Sequence, residues 1–198
     1  MTTTLNKNQH EFINDLGGSS PIMVFAAGWD NIKPTLWERL TKVDKTTDLD
    51  ISCAMYDRNQ DRVDCVWYAQ LASKCGAVRH RGDDTVGTDD HDDETIQLDL
   101  NQLDENITTV VFVISAFSPQ AFSNIATLYW RLFDGQTKRE IARARVGTQT
   151  RYNAKIVLRM QKHEKDGLVQ WSVKALDEEA TGQNIQEVFP EIRSLLED

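Results

Sequence analysis

Residues 109–117 read Thr109-Val110-Val111-Phe112-Val113-Ile114-Ser115-Ala116-Phe117. A near-continuous apolar run of this kind, rich in β-branched side chains, is the pattern of a strand covered on both faces, and it predicts a central strand. Working outward, Thr95–Leu100 sets Ile96, Leu98 and Leu100 on one face, and Ile22–Ala27 is a short apolar run ending at Gly28-Trp29-Asp30. Asp48–Tyr56 alternates, with Leu49, Ile51, Cys53 and Met55 on one side and Asp48 and Asp50 opening the other. Leu128–Phe133 and Glu140–Val146 flank Asp134-Gly135, which predicts a hairpin with a positive-φ turn at that dipeptide. Tyr152–Met160 and Leu168–Ala175 pair around Lys165-Asp166-Gly167, with Val169, Trp171, Val173 and Ala175 turned inward. Many short strands separated by turns predict a mostly β chain folded as a β-sandwich.

Helical signals are few. Ile185, Val188, Phe189, Ile192, Leu195 and Leu196 follow the spacing of an amphipathic helix, and Pro190 predicts that it is kinked or in two parts. Leu36–Leu40 and Pro119–Ile125 are read as a turn or two of helix each. The polar stretch Met1–Gly18 is expected to be loosely held, and residues 19–198 to form one domain that includes the terminal helix. Trp29, Trp67, Trp130 and Trp171 lie in strand-like apolar patterns and are expected in the core, whereas Asp30 is read as a turn residue.

The chain has 198 residues, 22 of them basic and 31 acidic, for a net charge of −9. That length supports one sizeable core. No apolar run approaches the roughly 18 residues of a membrane span, and residues 1–8 lack the basic and apolar regions of a signal peptide, so a cytoplasmic location is expected. Cys53, Cys65 and Cys75 show no zinc or thiol-redox spacing and are read as buried free thiols.

Most of the negative charge sits in one place. Gly82–Glu94, GDDTVGTDDHDDE, holds seven acids and no base, and removing them from the net −9 leaves −2. With no basic stripe elsewhere, binding to nucleic acid is not expected. Carboxylates this dense repel one another unless a cation or water shields them. Ca²⁺, which takes six to eight oxygen ligands in flexible geometry, suits a Gly-punctuated loop rich in Asp, whereas a transition metal would draw on His or Cys and the run offers only His91. His80 and His91 are read as solvent-facing or as lying behind the ligands. An EF-hand is excluded: Asp57-x-Asn59-x-Asp61 has Arg62 where Gly is needed and Tyr68 where the bidentate Glu belongs, so Asp57–Asp61 is read as a polar hairpin turn.

Gly28-Trp29-Asp30, Asp48-Leu49-Asp50, Cys75-Gly76-Ala77-Val78 with His80, and above all Gly82–Glu94 resemble the TerD-type tellurium-resistance and stress-response proteins. The resemblance runs from about Gly28 to about Leu176. It implies a β-sandwich that binds calcium at two adjacent sites unlike an EF-hand, with no established enzymatic activity, and the chain is expected not to be an enzyme. On the family's pattern Asp83, Asp90, Asp92, Asp93 and Glu94 match, Asp84 stands where Asn is usual, and Asp48 and Asp50 match a D-L-D element. Strand alternation separately puts Asp92 and Glu94 on the side of Ile96 and Leu98, with Asp93 on the other, so that two neighbouring cations can share one strand end.

The leading expectation is therefore a calcium-binding stress-response protein in which Ca²⁺ orders the acidic loop for an unidentified protein partner. A metal-dependent phosphoryl-transfer enzyme is the first alternative, since Asp92-Asp93-Glu94 superficially resembles a two-metal site, but the acids are consecutive and no nucleophile–base pair or phosphate loop is visible. A calcium-dependent membrane-docking module is the second. It needs basic or apolar residues beside the loop, and only Arg79 and Arg81 qualify.

Overall fold

The computed structural model describes residues 2–33, 47–82, 93–116 and 120–197. They build two six-stranded sheets. The first runs in the order β1 (Thr3–Thr4), β10 (Glu140–Arg145), β9 (Ile125–Asp134), β3 (Ile22–Asn31), β7 (Glu94–Asp99), β6 (Val78–Gly82). The second runs β2 (His10–Phe12), β12 (Leu168–Ala180), β11 (Ala154–Lys165), β8 (Thr109–Ala116), β4 (Leu49–Tyr56), β5 (Arg62–Val66). The sheets face each other across one apolar core, in which Phe25 of β3 stacks on Phe112 of β8 with ring centroids 4.2 Å apart. This is the β-sandwich the strand pattern predicts.

The strand β8 lies between β11 and β4 and is buried at every position. Its alternation explains why the sequence shows no polar face: Val110, Phe112 and Ile114 enter the core between the sheets, while Val111 and Val113 lie beneath the C-terminal helix. That helix, Ile185–Glu197, is a single element that continues through Pro190 and not two parts. Proline removes one backbone donor, but Val188 and Ile192 on either side of it are fully buried against the sheet and hold both halves down. A short helix, Gln120–Ser123, precedes β9; taken in chain order these are α1 and, at the C-terminus, α2. The helical expectation for Leu36–Leu40 lies outside the described residues. None of the described helices is long and apolar enough to cross a membrane.

Several expectations are corrected. The stretch 2–18 is tied down and not loosely held: β1 pairs in parallel with β10, β2 pairs with β12, and Leu5, Ile13 and Leu16 are buried in the core. Three apolar anchors spaced through a polar stretch suffice to close the two sheet edges. In the β9–β10 hairpin the positive φ falls at Lys138, not at Asp134-Gly135. Gly135 is required for a different reason, since a Cβ there would meet Ile22 Cγ2 at 2.5 Å. The β11–β12 hairpin does turn at positive φ, through Asp166 and Gly167. Val169 is exposed and not inward-facing, because this hairpin runs on beyond Gln161, the last β11 residue paired with β8. Cys53 is buried, but Cys65 is only partly so and Cys75 is exposed; all three are free. Trp130 and Trp171 are buried, Trp29 and Trp67 pack against the core clusters from their margins, and Asp30 lies within β3. The turn Asp57–Asp61 joins β4 to β5, with Asp57 Oδ1 accepting hydrogen bonds from the amides of Asn59 and Asp61.

Candidate metal centre where the two sheets meet

In the first sheet β7 pairs with β3 on one side and β6 on the other, so the chain that leaves β6 at Gly82 returns at Asp93 to start β7. Residues 83–92 span this interval. Gly82 has φ +62°, a left-handed conformation that glycine adopts without strain. The other contributing element, β4, belongs to the second sheet and begins with Leu49-Asp50-Ile51.

Two carboxylates at the start of β7 are fixed by main-chain donors. The Trp29 amide donates to Asp93 Oδ2 at 2.8 Å, and the Asp93 amide donates to the Ala27 carbonyl at 2.9 Å, so Asp93 is held along β3. Glu94 reaches the other way. Its Oε2 accepts a 2.7 Å hydrogen bond from the amide of Ile51, in the opposite sheet. The opposite orientations of Asp93 and Glu94 follow the strand alternation, since Ile96 and Leu98 share the inward side with Glu94 and are fully buried.

The Glu94–Ile51 bond brings β7 to the beginning of β4, where Asp48 and Asp50 lie. Asp50 is half-buried, and its carboxylate accepts no hydrogen bond from the described residues. Burial, then the neighbouring charges of Glu94 and Asp48, push its pKa up to about 6, and the nearby His80 only partly counters them. Asp48, Asp50, Asp93 and Glu94, separated by more than forty positions in sequence, are thus drawn to one end of the sandwich. Asp83, Asp84, Asp90 and Asp92 lie outside the described residues. Among the described residues no three His, Cys, Asp or Glu side chains converge closely enough to hold a metal by themselves.

His80 lies beside Glu94, the second of the two positions expected for it. Its ring is nearly buried, at 9% exposure, and so does not face solvent. Its Nδ1 accepts a hydrogen bond from the Gly82 amide, which leaves the ring proton of the neutral form on Nε2. That Nε2 is 3.6 Å from Glu94 Oε2, too far for a hydrogen bond, and has no other partner among the described residues. The signal was present in the alternation of β6: Val78 and His80 are buried while Arg79 and Arg81 are exposed. The amides of Trp29 and Ile51 carry no such signal, because main-chain donors leave no trace in residue type.

The donor chemistry fits a hard cation. The described acids supply oxygen only, one of them is poorly solvated and lacks donors, and their like charges raise rather than lower its pKa. A divalent ion reverses the sign of that local field. The candidate centre is therefore a carboxylate-rich junction between the sheets of a β-sandwich.

The TerD domain profile matches residues 1–189, and the chain belongs to the TerD domain family. It is 29% identical over 192 residues to the tellurium resistance protein TerZ of Serratia marcescens, covering 96% of this chain and 97% of that protein. It is 28% identical over 151 residues to the stress response protein SCP2 of Bacillus subtilis (strain 168), covering 71% and 75% of the two chains. Among solved structures, a homologue of the telluride resistance protein TerD from Streptomyces coelicolor A3(2), SCO6318, superposes with a TM-score of 0.54 at 16% identity, over 80% of this chain and 91% of that one. This last likeness concerns the fold.

Proposed function

We propose that this chain is a non-enzymatic calcium-binding protein of the tellurium-resistance and stress-response type, acting in the cytoplasm. Ca²⁺ is held by carboxylates of Asp48, Asp50, Asp93 and Glu94 together with Asp83, Asp84, Asp90 and Asp92, at two adjacent sites. Binding orders the acidic segment into a surface that a protein partner recognises.

One observation supports this reading above the others: Asp50 is half-buried beside Asp48 and Glu94 without a hydrogen-bond donor among the described residues. Such an arrangement costs free energy in the ion-free protein and is relieved by a cation. Holding Asp93 and Glu94 by main-chain amides places the end of the acidic segment before any ion arrives, which lowers the ordering cost of binding.

Thermal unfolding of chelator-stripped protein tests the reading. A ligand that prefers the folded state adds RT ln(1 + [L]/Kd), about 2.7 kcal/mol at a hundredfold excess over Kd. Ca²⁺ is expected to raise Tm by several degrees; an unchanged curve in millimolar Ca²⁺ contradicts the proposal. Hydrolysis of a phosphomonoester or phosphodiester with Mn²⁺ or Mg²⁺, lost in Asp93→Ala, would establish the enzyme alternative instead.

A further inference from the structure

On the outer face of the second sheet, beyond the C-terminal end of α2, a pocket of about 240 Å³ is lined by Arg58, Arg159, Lys162, Thr109 and Gln161, among others. It lies away from the carboxylate junction. Asp50 pairs with Ser115 near one end of β8 and Tyr56 with Thr109 at the other, six positions along, or roughly 20 Å of strand.

Arg159 is the unusual member. It projects from β11 across from Val111 of β8 on one side and Lys174 of β12 on the other, and neither neighbour can accept a hydrogen bond from it through its side chain. Its Nε is buried, and among the described residues it has no hydrogen-bond partner and the guanidinium forms no ion pair. The side chain as a whole is only partly buried, but a buried donor left without an acceptor costs free energy that an anion would relieve. Burial is the cause acting on its pKa, and it acts downward.

The acids on the same rim do not meet that need. Asp57 spends Oδ1 on the amides of its own turn, and Glu164 and Glu105 are exposed residues at the mouth. Three cations, Arg58, Arg159 and Lys162, line the pocket with three acids, Asp57, Glu105 and Glu164, so its net charge is balanced and the unpaired Arg159 Nε is its distinguishing group. Thr109 is buried there and supplies a hydroxyl, and Gln161 an amide. The pocket is smaller than the roughly 300–1,000 Å³ typical of sites for drug-sized ligands, which suits a small ligand or a single charged headgroup.

We propose that this pocket is an oxyanion-binding site in which the Arg159 guanidinium, with Nε as one arm of its fork, grips a phosphoryl or carboxylate group of a small ligand while Arg58 and Lys162 add charge at the rim. Guanidinium geometry favours bidentate pairing with such groups, which a lysine cannot reproduce. The site is independent of calcium.

The test is a titration of the full-length protein in calcium-free buffer at constant ionic strength, following arginine Nε–Hε signals by NMR. Inorganic phosphate is the first probe, and acetate the second, to distinguish a phosphoryl from a carboxylate ligand. The expected result is a saturable one-to-one shift of the Arg159 signal with one of the two, at least tenfold weaker binding in Arg159→Lys, and less weakening in Arg58→Gln. Signals that drift together without saturating for both probes overturn the proposal, as does unaltered affinity in a folded Arg159→Lys protein. If that variant does not fold, the wild-type titration decides alone.

Discussion

Glu94 and Ile51 join the two sheets through a single bond, the 2.7 Å contact from the Ile51 amide to Glu94 Oε2. It ties the first residue of β7 to the third of β4 and so sets Glu94 beside Asp48 and Asp50. A carboxylate accepting a hydrogen bond between sheets at the margin of the core orders the strand end and gathers charge there at the same time.

Replacing Asp50 by Asn removes one member of the like-charge group while keeping its shape. In the ion-free protein, Asp50→Asn is expected to raise stability by on the order of 1 kcal/mol near neutral pH, a value reduced for solvent screening because the side chain is only half-buried. The same variant is expected to lose most of the stabilisation by Ca²⁺. Paired melting curves with chelator and with Ca²⁺ check both effects.

Asp134 supports a separate prediction. It is fully buried; Oδ2 accepts from the amides of Ser19 and Ser20 and the Ser19 hydroxyl, and Oδ1 from the amides of Gln136 and Thr137. Burial alone would raise its pKa, but these donors prevail and hold it well below the usual carboxylate range. A folded-state pKa lowered in this way contributes stability present above pH about 4 and lost as pH falls through the folded value. Asp134→Ala is expected to cost about 3 kcal/mol at pH 7 and to flatten the acid limb of the stability curve. Urea unfolding at pH 7 and at pH 3 measures the difference.

The covering helix should be needed by the sheet beneath it. Ile192→Ala removes a fully buried side chain that packs with Val111 and Val113, and a loss of 2–4 kcal/mol is expected. Denaturant midpoints at unchanged m-value report it.

Gly135→Ala is expected to cost 1–3 kcal/mol, because its Cβ would meet Ile22 Cγ2 at 2.5 Å and the Ile22 carbonyl oxygen at 3.1 Å. Chemical denaturation of this variant against wild type tests whether the close approach of the two chain segments, and not a turn φ, fixes the glycine.

What the sequence conveys follows from periodicity. The apolar run 109–117 shows a doubly covered strand, and the alternation after Glu94 shows which acid turns inward, since side-chain direction in a strand depends on local spacing. The N-terminal stretch misled because a three-residue edge strand such as His10–Phe12 has too few positions for a period to register. The turn at Asp134-Gly135 misled because the dipeptide serves two other purposes, a buried acceptor and a close chain approach. At the candidate centre, the acids of 93–94 and 48–50 were legible as residue types. Their meeting was not, because it depends on how the two sheets stack and on an amide that every residue carries.

Calorimetric titration of the chelator-stripped protein with Ca²⁺ shows whether the carboxylate junction holds the ion. Saturable binding with a stoichiometry of two is expected, retained when Mg²⁺ is present and greatly weakened in Asp50→Asn. Absence of any binding heat at millimolar Ca²⁺, with the protein folded throughout, would contradict it.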